Sequence, residues 1–131
     1  MKDILLLTHG NAAIGLLDSA SMLVGDVKGL HALTLQPGVS MDEYMEMVEE
    51  KLKELDERPL LLVDLVGGTP SNVSCMLSEN YDVDVIGGLN LAMLLEACMS
   101  RDILSGDEYI AAVEEAGREG CKNVLAMLNE A

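Results

Sequence analysis

Leu60-Leu61-Leu62-Val63-Asp64-Leu65-Val66-Gly67-Gly68-Thr69-Pro70-Ser71-Asn72 reads as a buried strand, a turn and the start of a helix. Its four leading aliphatic residues form a continuous apolar run, the pattern of a strand covered on both faces of a parallel sheet. Asp64 stops the run and Gly67-Gly68 supply a turn. Thr69-Pro70 then read as an N-cap followed by proline at the first helical position.

The same alternation extends in both directions. Ile4-Leu5-Leu6-Leu7 is a second run, stopped by Thr8-His9-Gly10, and Val83 to Ile86 is a third, ended by Gly87-Gly88. Leu30 to Leu35 is a weaker candidate closed by Pro37-Gly38. Between the runs lie amphipathic stretches. Ala13, Leu16, Leu17, Ala20 and Val24 mark one helical face, and Met41, Tyr44, Met45, Val48, Leu52 and Leu55 a second. Ser40 and Glu43 have the spacing of a capping box. Leu91 to Met99 and Asp107 to Arg118 are further helices, after which Gly117 and Gly120 break the pattern. Cys121 to Leu128 fits either a last strand or a short helix. Strands alternating with helices imply a doubly wound α/β fold: a mainly parallel sheet in order 2-1-3-4, helices on both faces, right-handed crossovers. One domain spanning residues 1–131 is expected.

Half of the 131 residues are hydrophobic, yet Phe and Trp are absent, so the core is aliphatic. Eight basic against 23 acidic residues leave a net charge of −15. That balance excludes nucleic-acid and anionic-membrane binding, which need a basic footprint, and suits a basic protein partner. Cys75, Cys98 and Cys121 are scattered and lack zinc-ligand spacing, so buried free thiols in a reducing compartment are expected. The apolar start is too short for a secretion signal or a membrane span. A cytoplasmic protein is expected.

In doubly wound sheets, ligands bind beyond the carboxyl ends of the strands where strand order reverses. In the order 2-1-3-4 that crevice falls between strands 1 and 3. There the sequence places His9 and Asp64, beside Gly67, Gly68, Thr69 and Ser71 at a helix start. The set suits phosphoryl transfer. A neutral imidazole is a good nucleophile, and a carboxylate on one ring nitrogen leaves the other's lone pair facing phosphorus. The glycine turn and helix N-terminus favour a phosphate, with the hydroxyls of Thr69 and Ser71 as added donors. No metal or cofactor is needed. A lone histidine at a strand end is more often structural, and a double glycine is usually just a turn. The pair at the switch point is what lifts His9 and Asp64 above that reading. His31, with no carboxylate nearby in sequence, reads as structural. Met41, Met45, Met93 and Met99 fall at helix-core spacing, whereas Met22 and Met47 suit the surface.

Thr8-His9-Gly10 with Gly15-Leu16-Leu17-Asp18-Ser19-Ala20 resembles the opening of the mannose-family EIIA domains of the bacterial phosphoenolpyruvate-dependent sugar phosphotransferase system. The resemblance continues through Pro37-Gly38, Asp64 to Asn72, Gly88-Leu89-Asn90-Leu91 and Gly117-Arg118-Glu119-Gly120, in order along essentially the whole chain. It implies that His9 accepts a phosphoryl group on Nε2 from HPr and passes it to EIIB, while Asp64 holds Nδ1. Membrane components EIIC and EIID would be reached only indirectly. It also implies a homodimer that exchanges a C-terminal strand, with Cys121 to Leu128 as that strand. Ala12 and Ala92 stand where many members carry Phe and Pro, which alters the partner-facing rim but not His9 or Asp64.

Other readings are a phosphotransfer subunit of a dihydroxyacetone kinase or a regulatory binding module of the same fold. A nucleotide or flavin binder is weaker, because G-x-G-x-x-G, G-x-x-x-x-G-K-[ST] and stacking aromatics are all missing.

Overall fold

The apolar runs become four strands of one parallel sheet in the computed structural model, which describes residues 1–130. They are β1 (Ile4–His9), β2 (Leu30–Leu35), β3 (Leu60–Val63) and β4 (Asp84–Gly87), ordered β2-β1-β3-β4. Ile4 lies opposite both Leu30 and Leu60, and Leu60 lies opposite Asp84. The helices are α1 (Ala12–Val24), α2 (Met41–Glu54), α3 (Thr69–Leu77), α4 (Leu91–Ser100), α5 (Gly106–Glu119) and α6 (Val124–Asn129).

Ile4 to Leu7 and Leu60 to Val63 are fully buried because helices cover both faces of the two central strands. Alternate side chains serve opposite cores. Ile4, Leu6, Leu60 and Leu62 pack with α1, α4 and α5 through Ala13, Ala20, Leu94, Ala97, Tyr109 and Val113. Leu5, Leu7, Leu61 and Val63 pack with α2 and α3 through Tyr44, Val48, Leu52, Val73 and Leu77. Each fully buried leucine contributes about 1.5–3 kcal/mol of apolar transfer. Two tyrosines fill the space that phenylalanine would otherwise take. Their hydroxyls donate to backbone oxygens, Tyr44 to Leu33 at 2.8 Å and Tyr109 to Ala97 at 2.7 Å.

Ser40 caps α2 as the spacing implies, with Glu43 N donating to Ser40 Oγ at 3.1 Å, but the Glu43 carboxylate accepts from Ser40 Oγ at 3.2 Å rather than from the Ser40 amide of a full capping box. Several expectations are corrected. Gly68, not Thr69, caps α3, so Thr69 is its first residue and Pro70 its second. Met93 is buried, but Met41 and Met99 are exposed, since each lies at a helix end where the neighbouring elements fall away. The cysteines are free thiols, with Cys98 partly buried but Cys75 and Cys121 exposed. Cys75 lies on the outward side of α3, whose inward face is Ser71, Ser74 and Leu77.

The C-terminal segment, which the period left open between a strand and a short helix, forms a helix in the single chain, with no swapped strand seen. Within one chain no strand lies beside Cys121 to Leu128, so its backbone bonds locally in α6, capped by Ala126 N donating to Asn123 Oδ1 at 3.0 Å. All of α6 is exposed.

At the amino ends of the strands, Asp3 draws three segments together. Its Oδ1 meets His31 Nε2 at 3.1 Å and its Oδ2 accepts from Asp56 N at 2.8 Å. His31 is structural, as expected, through a carboxylate that lies far from it in sequence. Partial burial works to raise the Asp3 pKa, but the Asp56 amide, His31 and Arg101 outweigh it and hold the carboxyl below its usual range. A depressed folded pKa contributes stability above the unfolded value, lost as pH falls through the folded one. Asp3→Asn is therefore expected to destabilise the chain at pH 7 by about 1 kcal/mol. In denaturant titrations the gap should close on acidification below about pH 4.

Candidate active site

Parallel pairing brings the ends of β1 and β3 side by side, with His9 on one and Asp64 just beyond the other. Asp64 Oδ2 accepts from the His9 backbone N at 2.8 Å and lies 3.0 Å from His9 Nδ1. Asp64 Oδ1 accepts from Leu65 N at 2.9 Å. One carboxylate thus fixes the histidine's backbone, its ring and the following turn. Partial burial pushes the Asp64 pKa up, but the hydrogen bonds and charge of His9, together with the Leu65 amide, prevail and hold it below the usual range. An ionised carboxylate only accepts, so the neutral ring carries its proton on Nδ1 and its lone pair on Nε2. The His9 side chain is 47% exposed, so the ring stands partly open to solvent.

The turn that follows is tight. Gly68 N donates to Leu65 O at 3.1 Å, and Gly67 at φ +87° occupies the left-handed position such a turn requires. Gly68 has ordinary extended dihedrals, φ −77° and ψ 172°, so its backbone does not demand glycine. The His9 ring does: a Cβ at Gly68 would lie 2.8 Å from Cε1 and 3.5 Å from Nε2. Asp64 holds the ring at Nδ1, and Gly68 lies against the adjoining Cε1–Nε2 edge.

Thr69 and Ser71 open α3, and the Gly68 cap gives the first turn no side-chain acceptor. The amides of Thr69 and Ser71 therefore lack intrahelical partners and carry the positive end of the helix dipole. Thr69 is half-buried, whereas the Ser71 side chain is buried at 8% exposure, so Thr69 is the more open hydroxyl. Asn72 Nδ2 donates to Gly67 O at 3.2 Å and ties the turn to the helix. On the other side of the crevice, Thr8 Oγ1 accepts from Ala13 N at 2.8 Å and anchors the start of α1. Gln36 Nε2 bridges Asn11 Oδ1 at 2.9 Å and Thr34 Oγ1 at 3.0 Å. Sequence reasoning did not find these last supports. The Thr8 contact spans five residues and carries a weak capping signal; the Gln36 bridge carries none.

Among the described residues no group of three or more His, Cys, Asp or Glu is arranged to hold a metal. Among those residues, too, no helix is long and apolar enough to cross a membrane.

Residues 3–114 match the family EIIA-man, described as PTS system fructose IIA component. The chain belongs to this family of phosphotransferase-system IIA components. It is 38% identical over 125 residues to the mannose-specific EIIAB component of Escherichia coli K12, covering 91% of this chain but only 38% of that relative. With the fructose-specific EIIA component of Bacillus subtilis the identity is 32% over 108 residues, 80% of this chain and 74% of the relative. The crystal structure of an EIIA component from Streptococcus agalactiae superposes with a TM-score of 0.88 at 30% identity, covering 96% of this chain and 99% of that one. The family match spans the crevice described above.

Gly68→Ala tests the ring contact. The variant is expected to fold with an unchanged circular dichroism spectrum, because its dihedrals suit alanine. The NMR signals of the His9 ring should shift, and ring and turn must separate by several tenths of an ångström. Unmoved ring signals would exclude the contact.

Proposed function

We propose that this IIA component carries a phosphoryl group on His9 Nε2, accepting it from HPr and passing it to an EIIB protein in sugar uptake. The observation that carries the reading is the ring held by Asp64 at Nδ1 in a side chain that is 47% exposed. The Nε2 lone pair attacks phosphorus in line. The N–P bond to the donor imidazole breaks, and its electron pair returns to the donor nitrogen. The Nδ1 proton stays in place, and Asp64 offsets the positive charge the ring acquires. Passage to EIIB is the same displacement with His9 as leaving group.

Such transfers depend on alignment and on stabilising the equatorial oxygens. Gly67 and the α3 amides at Thr69 and Ser71 supply donors for those oxygens, with the Thr69 hydroxyl beside them, while Gly68, whose amide is bonded to Leu65 O, leaves room beside the ring. The step needs no cofactor or metal. With a net charge of −15, the surface favours a basic donor protein. The relay works in the cytoplasm and meets EIIC and EIID only through EIIB.

The active unit is a homodimer in this reading. β4 pairs only with β3, so its outer edge is free, and an apolar groove of about 470 Å³ runs along it beneath α5. Meanwhile Val124, Leu125, Met127 and Leu128 are each at least 50% exposed. An unpaired edge and an unpartnered apolar segment on the same chain satisfy each other when two copies exchange Cys121 to Leu128 as a strand.

Incubation with phosphoenolpyruvate, enzyme I and HPr is expected to add one acid-labile phosphoryl group by intact mass, and none to His9→Ala. A phosphate that persists in His9→Ala, or no addition while HPr turns over, would overturn the assignment. Thr69→Val should slow transfer about tenfold, less than the ~100-fold of a water-excluded oxyanion donor, since Thr69 is half-exposed.

A further inference from the structure

Both carbonyls of the double glycine end on one residue. Two peptide planes make up this part of the turn, Gly67–Gly68 and Gly68–Thr69, and in each the C=O and the N–H point in opposite directions. Asn72 Nδ2 donates to Gly67 O at 3.2 Å, and Asn72 N donates to Gly68 O at 2.9 Å. Opposite the first carbonyl, Gly68 N donates to Leu65 O at 3.1 Å, and Leu65 N is bonded in turn to Asp64 Oδ1 at 2.9 Å. Opposite the second carbonyl, the Thr69 N–H is left at the open end of α3 with no partner inside the helix. The turn is therefore anchored at one end by the Asp64 carboxylate and at the other by Asn72.

This frame touches both halves of the site. Gly68 lies so near the imidazole that a Cβ on it would be 2.8 Å from His9 Cε1, so a shift of the Gly67–Gly68 plane moves the wall of the ring. The tilt of the next plane sets where the Thr69 N–H points. Glycine is the residue freest to rotate, so two in succession leave both directions to whatever holds their carbonyls. The bond from Asn72 N to Gly68 O is an ordinary helix bond that other residues at position 72 would also make. The bond to Gly67 O needs a side-chain donor of this reach. Asn72 is exposed, so water competes for its amide and the bond adds little to folding stability. Its effect is on orientation.

We propose that Asn72 is a positioning residue for phosphoryl transfer: by clamping Gly67 O it fixes the Gly68 wall against the His9 ring and the aim of the Thr69 amide at the phosphoryl oxygens. The inference rests on the carrier reading of His9. Asn72 does not touch the transferred group. Loss of its donor leaves the nucleophile, its Asp64 partner and α3 in place, and lets the glycine turn drift between them.

Asn72→Ala in the full chain tests this. Alanine favours a helix interior, so the circular dichroism spectrum should be unchanged. Phosphorylation over a range of phospho-HPr concentrations separates the limiting rate from the half-saturation point. The limiting rate is expected to fall about tenfold, as sub-ångström misplacement of reacting groups produces, with half-saturation unchanged. The Gly68 amide and His9 Cε1–H resonances should be displaced before any phosphoryl donor is added. A raised half-saturation with an unchanged limiting rate would make Asn72 a docking contact and overturn the positioning role. So would a slower rate with unmoved Gly68 and Cε1–H resonances, since the effect would not then pass through the turn. A limiting rate equal to that of the unsubstituted chain overturns this inference alone. An unsubstituted chain that takes no phosphate while HPr turns over overturns the carrier reading, and the two resonances then still report whether Asn72 holds the turn.

Discussion

The pairing of Ile4–Leu7 with Leu60–Val63 is the constraint on which the rest of the molecule depends. Both strands are buried on both faces, so a one-residue slip would send every side chain to the wrong core. Register is therefore fixed by two independent packings at once. Fixed register places Leu7 beside Val63, and the next positions along are Thr8-His9 and Asp64. The ångström-scale placement of an imidazole against a carboxylate is thus set by eight aliphatic residues that take no part in the chemistry. Beyond those strand ends the chain turns away on both sides, and the crevice is the gap left between β1's exit and β3's exit.

A chain with a net charge of −15 is an unpromising host for a phosphoryl group if charge is counted globally. Counted locally, the site differs. The only charged partner of the His9 ring is Asp64, and that carboxylate is already occupied by two backbone amides as well as the ring. The opposing donors are neutral amides at the start of α3, whose dipoles act at short range and are oriented by the fold. Surface acids on α2 and α5 are solvated and screened beyond about 10 Å at ordinary salt. In the proposed relay the acidic surface acts on which protein approaches, and the backbone dipoles act at Nε2.

How far the sequence could be read follows from which interactions are local. Apolar runs and helical stripes are local patterns, and they located all four strands and α1, α2, α4 and α5 to within a residue or two, while α3 was marked only at its start. His9, Asp64 and the glycine turn were legible because strand ends in a doubly wound sheet have known places. Three things were hidden. The Asp3–His31 pair joins residues 28 apart, and the Gln36–Asn11 bridge residues 25 apart, without any spacing rule. The cap of α3 moved from Thr69 to Gly68 because the turn hydrogen bond from Gly68 N to Leu65 O ends where the helix starts. Cys121 to Leu128 was undecidable by period because its conformation depends on what lies beside it, and in one chain nothing does.

The second histidine–carboxylate pair shows why geometry alone does not make a site. His31 and Asp3 approach as closely as His9 and Asp64, at 3.1 Å against 3.0 Å. They lie at the amino ends of the same sheet, where α1 and α2 finish and present the negative ends of their dipoles. The His31 side chain is 26% exposed, about half the exposure of His9. Asp3 also binds the Asp56 amide, so the pair holds the loop after α2 against β1 and β2. The turn at Gly29 and the Arg101 guanidinium, which donates to Lys2 O and Lys28 O, lie beside it. The pair is thus built into the amino end of the sheet, where α1 and α2 present carbonyls, and it serves as a strut.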